Sequence, residues 1–469
     1  MTKIIKKLLS TVLLAVIALS SGCLPATKEH TEIDLTTAAY LTLFLNTPQL
    51  DYQLDIRLSD IELYAETLWY PLDSSTIHTA KHSALSANTT QQLLAAGAVA
   101  TGSFSRIRFK LQISDDSGKL LRQEQTELPL PSALELPAGA SSALFITSNI
   151  AANTLDIPIA QQFTVHAQQR PLADELLYVL CPKIQTLYVA RVSPCQVIAA
   201  YGVGSGIIDM VIDNSNQLLY LLDSQQHLLQ RFDTIAQSFT DRIPLPLADE
   251  PQHIGINADG NALYISDAYS QKLLKVNTET GTLVQQQDIS YQLGKPYPFT
   301  HQNQDYVALL SPREQQLTVL SASSLIVQYT VNAGLQPYDI VYADQQLLVS
   351  DTFARQILLI NPESGNINAR IATTQIPETL YVDDSNNNII IGSQGNNTLA
   401  FLPFGQQLVA RSTKVGGAVG DITMATARRL LFAALPQQQQ ISVIDLPSEK
   451  QITTISVAAP PSVIVFQEP

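Results

Sequence analysis

IIDMVID (207–213), PQHIGIN (251–257), PYPFTHQ (296–302), PYDIVYA (337–343), PETLYVD (377–383), VGDITMA (419–425) and PSVIVFQ (461–467) are seven segments whose starts lie 40 to 45 residues apart. A second apolar run follows within a step, as in LLYLLD at 218, ALYISD at 262, QLLVSD at 346 and NIIIGS at 388. A third (KLLKVN at 272, QILLIN at 356) and a fourth (TLVQQQ at 282) come after it. In these runs apolar residues are consecutive or alternate, which is strand patterning; a helix-pair solenoid would need them at i, i+3, i+4 and i+7. Four short strands per period of this length predict a β-propeller with one blade per repeat.

The two ends of the repeat region set the blade count. PSVIVF supplies only a first strand, whereas LLYVLC (176–181), TLYVARV (186–192) and CQVIAAYG (195–202) supply only a second, third and fourth. Joined, they make a composite seventh blade that closes the ring and leaves no sheet edge open. The segments LLYVLC, TLYVARV, ALYISD and QLLVSDTFARQILLIN resemble YVTN-type repeats, kin of the NHL propellers, over roughly residues 176–466. The resemblance implies a fold and several functions, because such propellers include ligand binders, scaffolds and some lyases or lactonases.

Upstream, AAYLTLFLN (38–46), LDIRLSDIELYAE (54–66), GSFSRIRFKLQIS (102–114) and SALFITSN (142–149) alternate apolar and polar residues, with turn-rich pieces such as SDDSG (114–118) between them. This predicts an antiparallel β-sandwich over residues 36–168. GSFSRIRFKL and LPLPSALELPAG resemble a family of uncharacterised bacterial lipoprotein β-sandwich domains. QQRPLADE (168–175) supplies a linker at 169–175. The expected class is all-β: an N-terminal antiparallel β-sandwich followed by a seven-bladed β-propeller over 176–469.

Residues 1–23, MTKIIKKLLSTVLLAVIALSSGC, place three lysines before an apolar run that ends in small residues and a cysteine. That is the pattern of a secretory signal. The run is about half of the ~20 residues that a membrane-spanning helix needs. Ser21-Gly22-Cys23 resembles a lipobox, departing from it at Ser20, where that family usually has Leu. The resemblance implies a signal peptide over 1–22, acylation of Cys23, and a lipidated tether over 23–35. Because Leu24 is not Asp, it also implies delivery to the outer membrane, facing the periplasm or the cell surface. Acyl chains bury enough CH₂ groups to hold a soluble protein on a membrane.

Hydrophobic residues make up 45% of the chain and charged residues 14%, a balance that collapses and folds. The net charge of −14 becomes more negative if Lys3, Lys6 and Lys7 leave with a signal peptide. An acidic chain with no basic run repels phosphate backbones, so nucleic acid is not an expected partner.

Chemistry is sought first where first strands converge on the propeller axis. Two residues into each segment the ring reads Asp209, His253, Pro298, Asp339, Thr379, Asp421 and Val463. Asp209, His253, Asp339 and Asp421, with Glu378 beside the ring, are candidate ligands for a small molecule or a divalent cation. The plainer reading is that each side chain braces amides of the neighbouring blade. No residue set places a nucleophile beside a base. His78 and His82 stand four apart in STIHTAKHS, without the Glu of an HExxH site, and read as a loop. Export favours a Cys181–Cys195 disulfide, whereas the repeat register puts the two at opposite ends of a blade. The single Trp69 lies outside the repeats, so no quinone cofactor is expected, and apart from the candidate cation the chain calls for none. The leading function is a non-enzymatic envelope lipoprotein that binds a protein, glycan or small ligand; its rival is a metal-assisted lyase or lactonase.

Overall fold

The computed structural model describes residues 33–47, 54–72, 80–81, 91–115, 117–150, 157–168, 175–393, 395, 397–409 and 411–468. The signal segment with Cys23, the loop with His78 and His82, and residues 169–174 of the expected linker lie outside the described residues. From Asp34 to Pro469 the chain is one compact unit.

Two sheets open it. One orders its strands Gln91–Ala100, Ala38–Asn46, Ser141–Ser148 and Phe163–Ala167; the other orders Leu68–Pro71, Leu54–Ala65, Gly102–Asp115 and Leu120–Leu136. Period-two burial, clearest along Leu54–Ala65, sends Leu54, Ile56, Leu58, Ile61 and Leu63 into an apolar core that both sheets share. The outward face carries charge pairs such as Arg106–Glu127, and the guanidinium of Arg108 lies 4.1 Å from the Trp69 ring centre. One pairing departs from the antiparallel expectation: Ala38–Asn46 runs parallel to Ser141–Ser148. The whole of the second sheet is inserted between these strands, and so long a crossover permits parallel pairing where a short hairpin forbids it.

From Leu176 onward the fold is propeller-like, built of four-stranded antiparallel sheets, one per repeat. Second strands are buried on both faces, as in ALYISD (262–267), while fourth strands such as TLVQQQD (282–288) form the exposed outer edge. The innermost strands Ile207–Asp213, Pro251–Ile256, Pro296–His301, Pro337–Ala343, Leu380–Asp383, Asp421–Ala425 and Val463–Gln467 neighbour one another in order, and the last returns to the first. The final sheet is assembled from both ends of the region: Val463–Gln467 pairs antiparallel with Leu176–Cys181.

Repeated local devices hold each sheet. In the turn from second to third strand, Gln185, His227, Gln271, Gln315, Arg355, Asn397 and Gln439 all adopt a left-handed conformation, with φ between 50° and 59°. At the ends of second strands, the carboxylates of Asp223, Asp267 and Asp351 are fully buried and accept loop amides. Burial pushes the Asp267 and Asp351 carboxyls up, but these amides outweigh it and leave both below the usual carboxylate range. In the first two repeats a cation on the third strand lies over a second-strand tyrosine and reaches the next sheet. Arg231 over Tyr220 donates to the Thr278 carbonyl, and Lys275 over Tyr264 donates to the Ala322 carbonyl.

The first of the two N-terminal sheets is hydrogen-bonded to the repeat region. The Gln91 side chain donates to the Val197 carbonyl (2.9 Å) and accepts the Val197 amide (2.8 Å), taking the place of a neighbouring strand. Gln168 Oε1 accepts the amides of both Ala143 and Ala200, and Thr42 Oγ1 lies 2.7 Å from Tyr188 OH. At Gly202 there is no room for a Cβ, which would overlap the Gly139 carbonyl oxygen. Gly202→Ala is therefore expected to lower the melting temperature, at a cost of ~1–3 kcal/mol, because backbone on both sides cannot yield. Calorimetry of the full chain checks this, and an unchanged melting temperature would show that the contact is soft.

Candidate functional site: the channel mouth

The inner strands bend where they meet the channel. Register breaks between Ile207 and Asp209, between Pro251 and His253, and between Pro337 and Ile340. A bulge frees amides from the ladder and re-aims the side chain beside it. Three aspartates accept inner-strand amides in the same way, Asp209 and Asp339 beside such a break and Asp421 on a strand that pairs regularly. Asp209 accepts Met210 N–H with Oδ1 (2.9 Å) and Ile254 N–H of the next repeat with Oδ2 (3.1 Å). Asp339 accepts Ile340 (2.8 Å) and Leu380 (2.8 Å), and Asp421 accepts Ile422 (2.9 Å) and Ile464 (2.9 Å). Each carboxylate thus joins its own repeat to the following one. Thr379 makes the link in the opposite sense, donating its hydroxyl to the Gly420 carbonyl.

The other sequence candidates are placed differently. His253 Nδ1 stands 3.6 Å from Asp209 Oδ2. Through its backbone Glu378 donates to Gly392 and accepts the Ser350 hydroxyl, one position outside the ring of aspartates. Among the described residues no group of three or more His, Cys, Asp or Glu side chains is placed to hold a metal ion. Cys181 and Cys195 are both free thiols: Cys181 Sγ donates to the Ala459 carbonyl and Cys195 Sγ to the Val192 carbonyl. Burial pushes the Cys195 thiol up to about 11.

One residue of the mouth escaped the sequence reading. Lys295 immediately precedes the third segment, and its Nζ lies 3.8 Å from Asp209 Oδ1. The signal was available, since aligned predecessors of the segments are Gly206, Glu250, Gln336, Ile376, Ala418 and Pro460, with no other cation. Lys295 and His253 keep 52% and 41% of their side chains exposed, so both are open to channel water.

The charges of the mouth are coupled. Beside Asp209, with Asp421 and Asp339 further off, the Lys295 ammonium is held above its ordinary value. Burial works against ionised Asp209, but Lys295, His253 and the Ile254 amide bring its carboxyl below the usual range. At Asp421 burial wins and the carboxyl is raised. Asp339 is pushed up to about 6, again chiefly by burial. Replacing Lys295 with Met removes the one ammonium that counters this. Carboxyl NMR should then show Asp339 titrating above pH 6 and Asp209 moving upward, whereas unmoved titrations would mean that the lysine is screened by water.

No protein-family model and no curated protein matches the sequence. Solved structures are similar in fold. A functionally unknown protein from Desulfotomaculum acetoxidans superposes with a TM-score of 0.55 at 11% identity, covering 63% of this chain and 100% of its own. The dihydro-heme d1 dehydrogenase NirN gives 0.48 at 13% identity, covering 64% of this chain and 77% of its own. The β-propeller domain of Myceliophteria thermophila Cps50 (Swd1) gives 0.47 at 10% identity, with coverages of 55% and 88%. At such identities the likeness is one of fold alone; the β-propeller-like character of the repeat region rests on its own four-stranded sheets and the cyclic order of their inner strands.

Proposed function

We propose that this chain is an envelope lipoprotein, anchored to the membrane through acylated Cys23, in which a seven-bladed propeller behind an N-terminal β-sandwich is a binding scaffold for an envelope protein, glycan or small ligand. The observation that supports a scaffold most directly is the double commitment of Asp209, Asp339 and Asp421: both oxygens of each already accept backbone amides. Carboxylates used in this way brace the ring. The blade count is supported by the cyclic neighbourhood of the inner strands and by the sheet shared between chain ends. The anchor rests on residues 1–23 alone.

Two measurements test the two halves of the proposal. Cys23→Ala should move the protein from the membrane to the soluble fraction, and a variant that still sediments with membranes would end the lipoprotein reading. Chelator should leave the wild-type melting temperature unchanged. A chelator-sensitive transition that Asp339→Asn abolishes would favour the metal-assisted lyase or lactonase instead, since a ligand of the folded state alone stabilises it.

A further inference from the structure

Successive repeats are sealed near the rim by one position of the fourth strand, the residue that pairs with Leu229, Leu317, Ile357 or Ile441. It is Ile243, Val331, Ile371 and Ile455 respectively, with Tyr201 opposite Leu187 in the sheet shared by the chain ends and the short Thr413 opposite Leu399 in the fifth repeat. In the second repeat the residue at this position, paired with Leu273, is Gln287. Two places before it stands Gln285, where the third repeat has Tyr329. The receiving turn differs as well. Gly281 and Gly365 close this turn in the second and fourth repeats, and a Cβ on either would press on Ile243 or on Tyr329 and Val331. The third repeat closes the same turn, with the same bond back to residue i−4, through Leu325. Leu325 has φ 53° and is fully buried, in one apolar cluster with Tyr264, Leu273 and Ile289. A left-handed leucine is disfavoured, and such outliers concentrate at functional sites.

The junction between the second and third repeats is consequently plugged near the core and open outside it, leaving a cleft of about 880 Å³. That lies within the roughly 300–1,000 Å³ of small-ligand sites. Its walls present the amides of Asn261, Asn277, Gln304 and Gln328, the Ser323 hydroxyl and the Tyr306 ring. Lys275 crosses the cleft and gives one hydrogen to the Ala322 carbonyl at 2.7 Å. Asp305 and Glu279 also line it, so two carboxylates face one ammonium and an anion is disfavoured. Part of this capacity is used within the chain, since Asn261 Oδ1 accepts from Asn257, Asn277 Oδ1 from Thr280 and Gln304 Oε1 from Tyr306, while Gln328 Nε2 donates to the Ile326 carbonyl. Each side-chain amide still has further N–H groups or lone pairs, donors and acceptors side by side that complement hydroxyl groups, which both give and accept hydrogen bonds. Tyr306 and Val284 add apolar surface for a ring's C–H face.

We infer that this cleft binds a neutral, polyhydroxylated ligand, a short oligosaccharide. The inference rests on the scaffold reading and names its ligand class. The test is an array of neutral and acidic oligosaccharides, from di- to hexasaccharides of hexoses and N-acetylhexosamines, probed with wild-type protein and followed by titration calorimetry. Ser323 and Gln328 are exposed, so Ser323→Trp, which fills the cleft, and Gln328→Ala should both fold with unchanged melting temperatures. Wild type should retain a neutral glycan, and each variant should bind it at least about tenfold more weakly. Retention of acidic glycans only, of none, or with full affinity by both variants would overturn the inference. If wild type and Ser323→Trp then capture the same envelope component equally, the cleft fails and the scaffold stands; if wild type captures nothing, the scaffold fails too.

Discussion

Deleting residues 460–469 is expected to unfold the repeat region as a whole. The deletion removes Val463–Gln467, the innermost strand of the shared sheet, and with it the one strand pairing among the described residues that joins the two ends of the region. Ile464 and Phe466 leave buried positions, and Phe466 leaves its stack on Phe432. Asp421 loses the Ile464 amide, Tyr178 loses its acceptor Gln467, and the Leu180 carbonyl loses Ser462. Two buried side chains alone contribute ~3–6 kcal/mol, a large part of the ~5–15 kcal/mol that stabilises a typical domain. The exposed edge of Leu176–Cys181 would also become a template for aggregation. Thermal unfolding and size-exclusion chromatography check this, and a truncated protein that melts like wild type would mean that ring closure is not what holds the repeats together.

Alanine at Asp209, Asp339 or Asp421 should rank next. Each change leaves two N–H groups of buried residues without acceptors, as with Met210 and Ile254 at Asp209. At ~1–3 kcal/mol for each unsatisfied group the cost is ~2–6 kcal/mol. Asparagine rescues only in part, because its NH₂ faces one of the two donors.

The pH dependence separates these sites. Asp209 has a depressed carboxyl, so its contribution is complete above the usual carboxylate range and is lost as pH falls through that range and below. Asp339, raised to about 6, behaves in the opposite sense: its contribution is complete below the ordinary value near 3.8 and is lost as pH rises through about 6. The shift corresponds to at most ~3 kcal/mol, reduced by water in the channel. The penalty of Asp339→Ala should therefore shrink between pH 4 and pH 7, while that of Asp209→Ala stays nearly level there and falls only below about pH 4. Chemical denaturation across this range reads both, and parallel curves would show that the two carboxyls share one environment.

Much of this architecture is legible in local order. Runs such as ALYISD and NIIIGS carry consecutive apolar residues because both faces are buried between neighbouring sheets, and the burial of TLVQQQD alternates because only one face is covered. The polar run Gln437–Gln440 reads as a hairpin, and Gln439 is indeed the left-handed residue of its turn. The braces at Asp209, Asp339 and Asp421 were half legible. Their convergence follows from the repeat, but the choice between a ligand ring and an amide brace depends on which inner-strand N–H groups come within reach of each carboxylate. Lys295 was overlooked because it precedes its strand and its partner Asp209 lies two repeats back.

What the sequence determined by itself is therefore whatever recurs along the chain: the all-β class, the period of the repeats, and the complementary halves of a sheet at the two ends of the repeat region. Period and burial are written in neighbouring residues, two or about forty positions apart. The tertiary structure alone decided the parallel pairing of Ala38–Asn46 with Ser141–Ser148, the Asp209–Lys295 contact, and the opening between the second and third repeats. Each depends on the register and approach of segments that no periodicity links. Side chains as small as Gly281 or as large as Leu325 settle that approach only once the neighbouring sheet is in place.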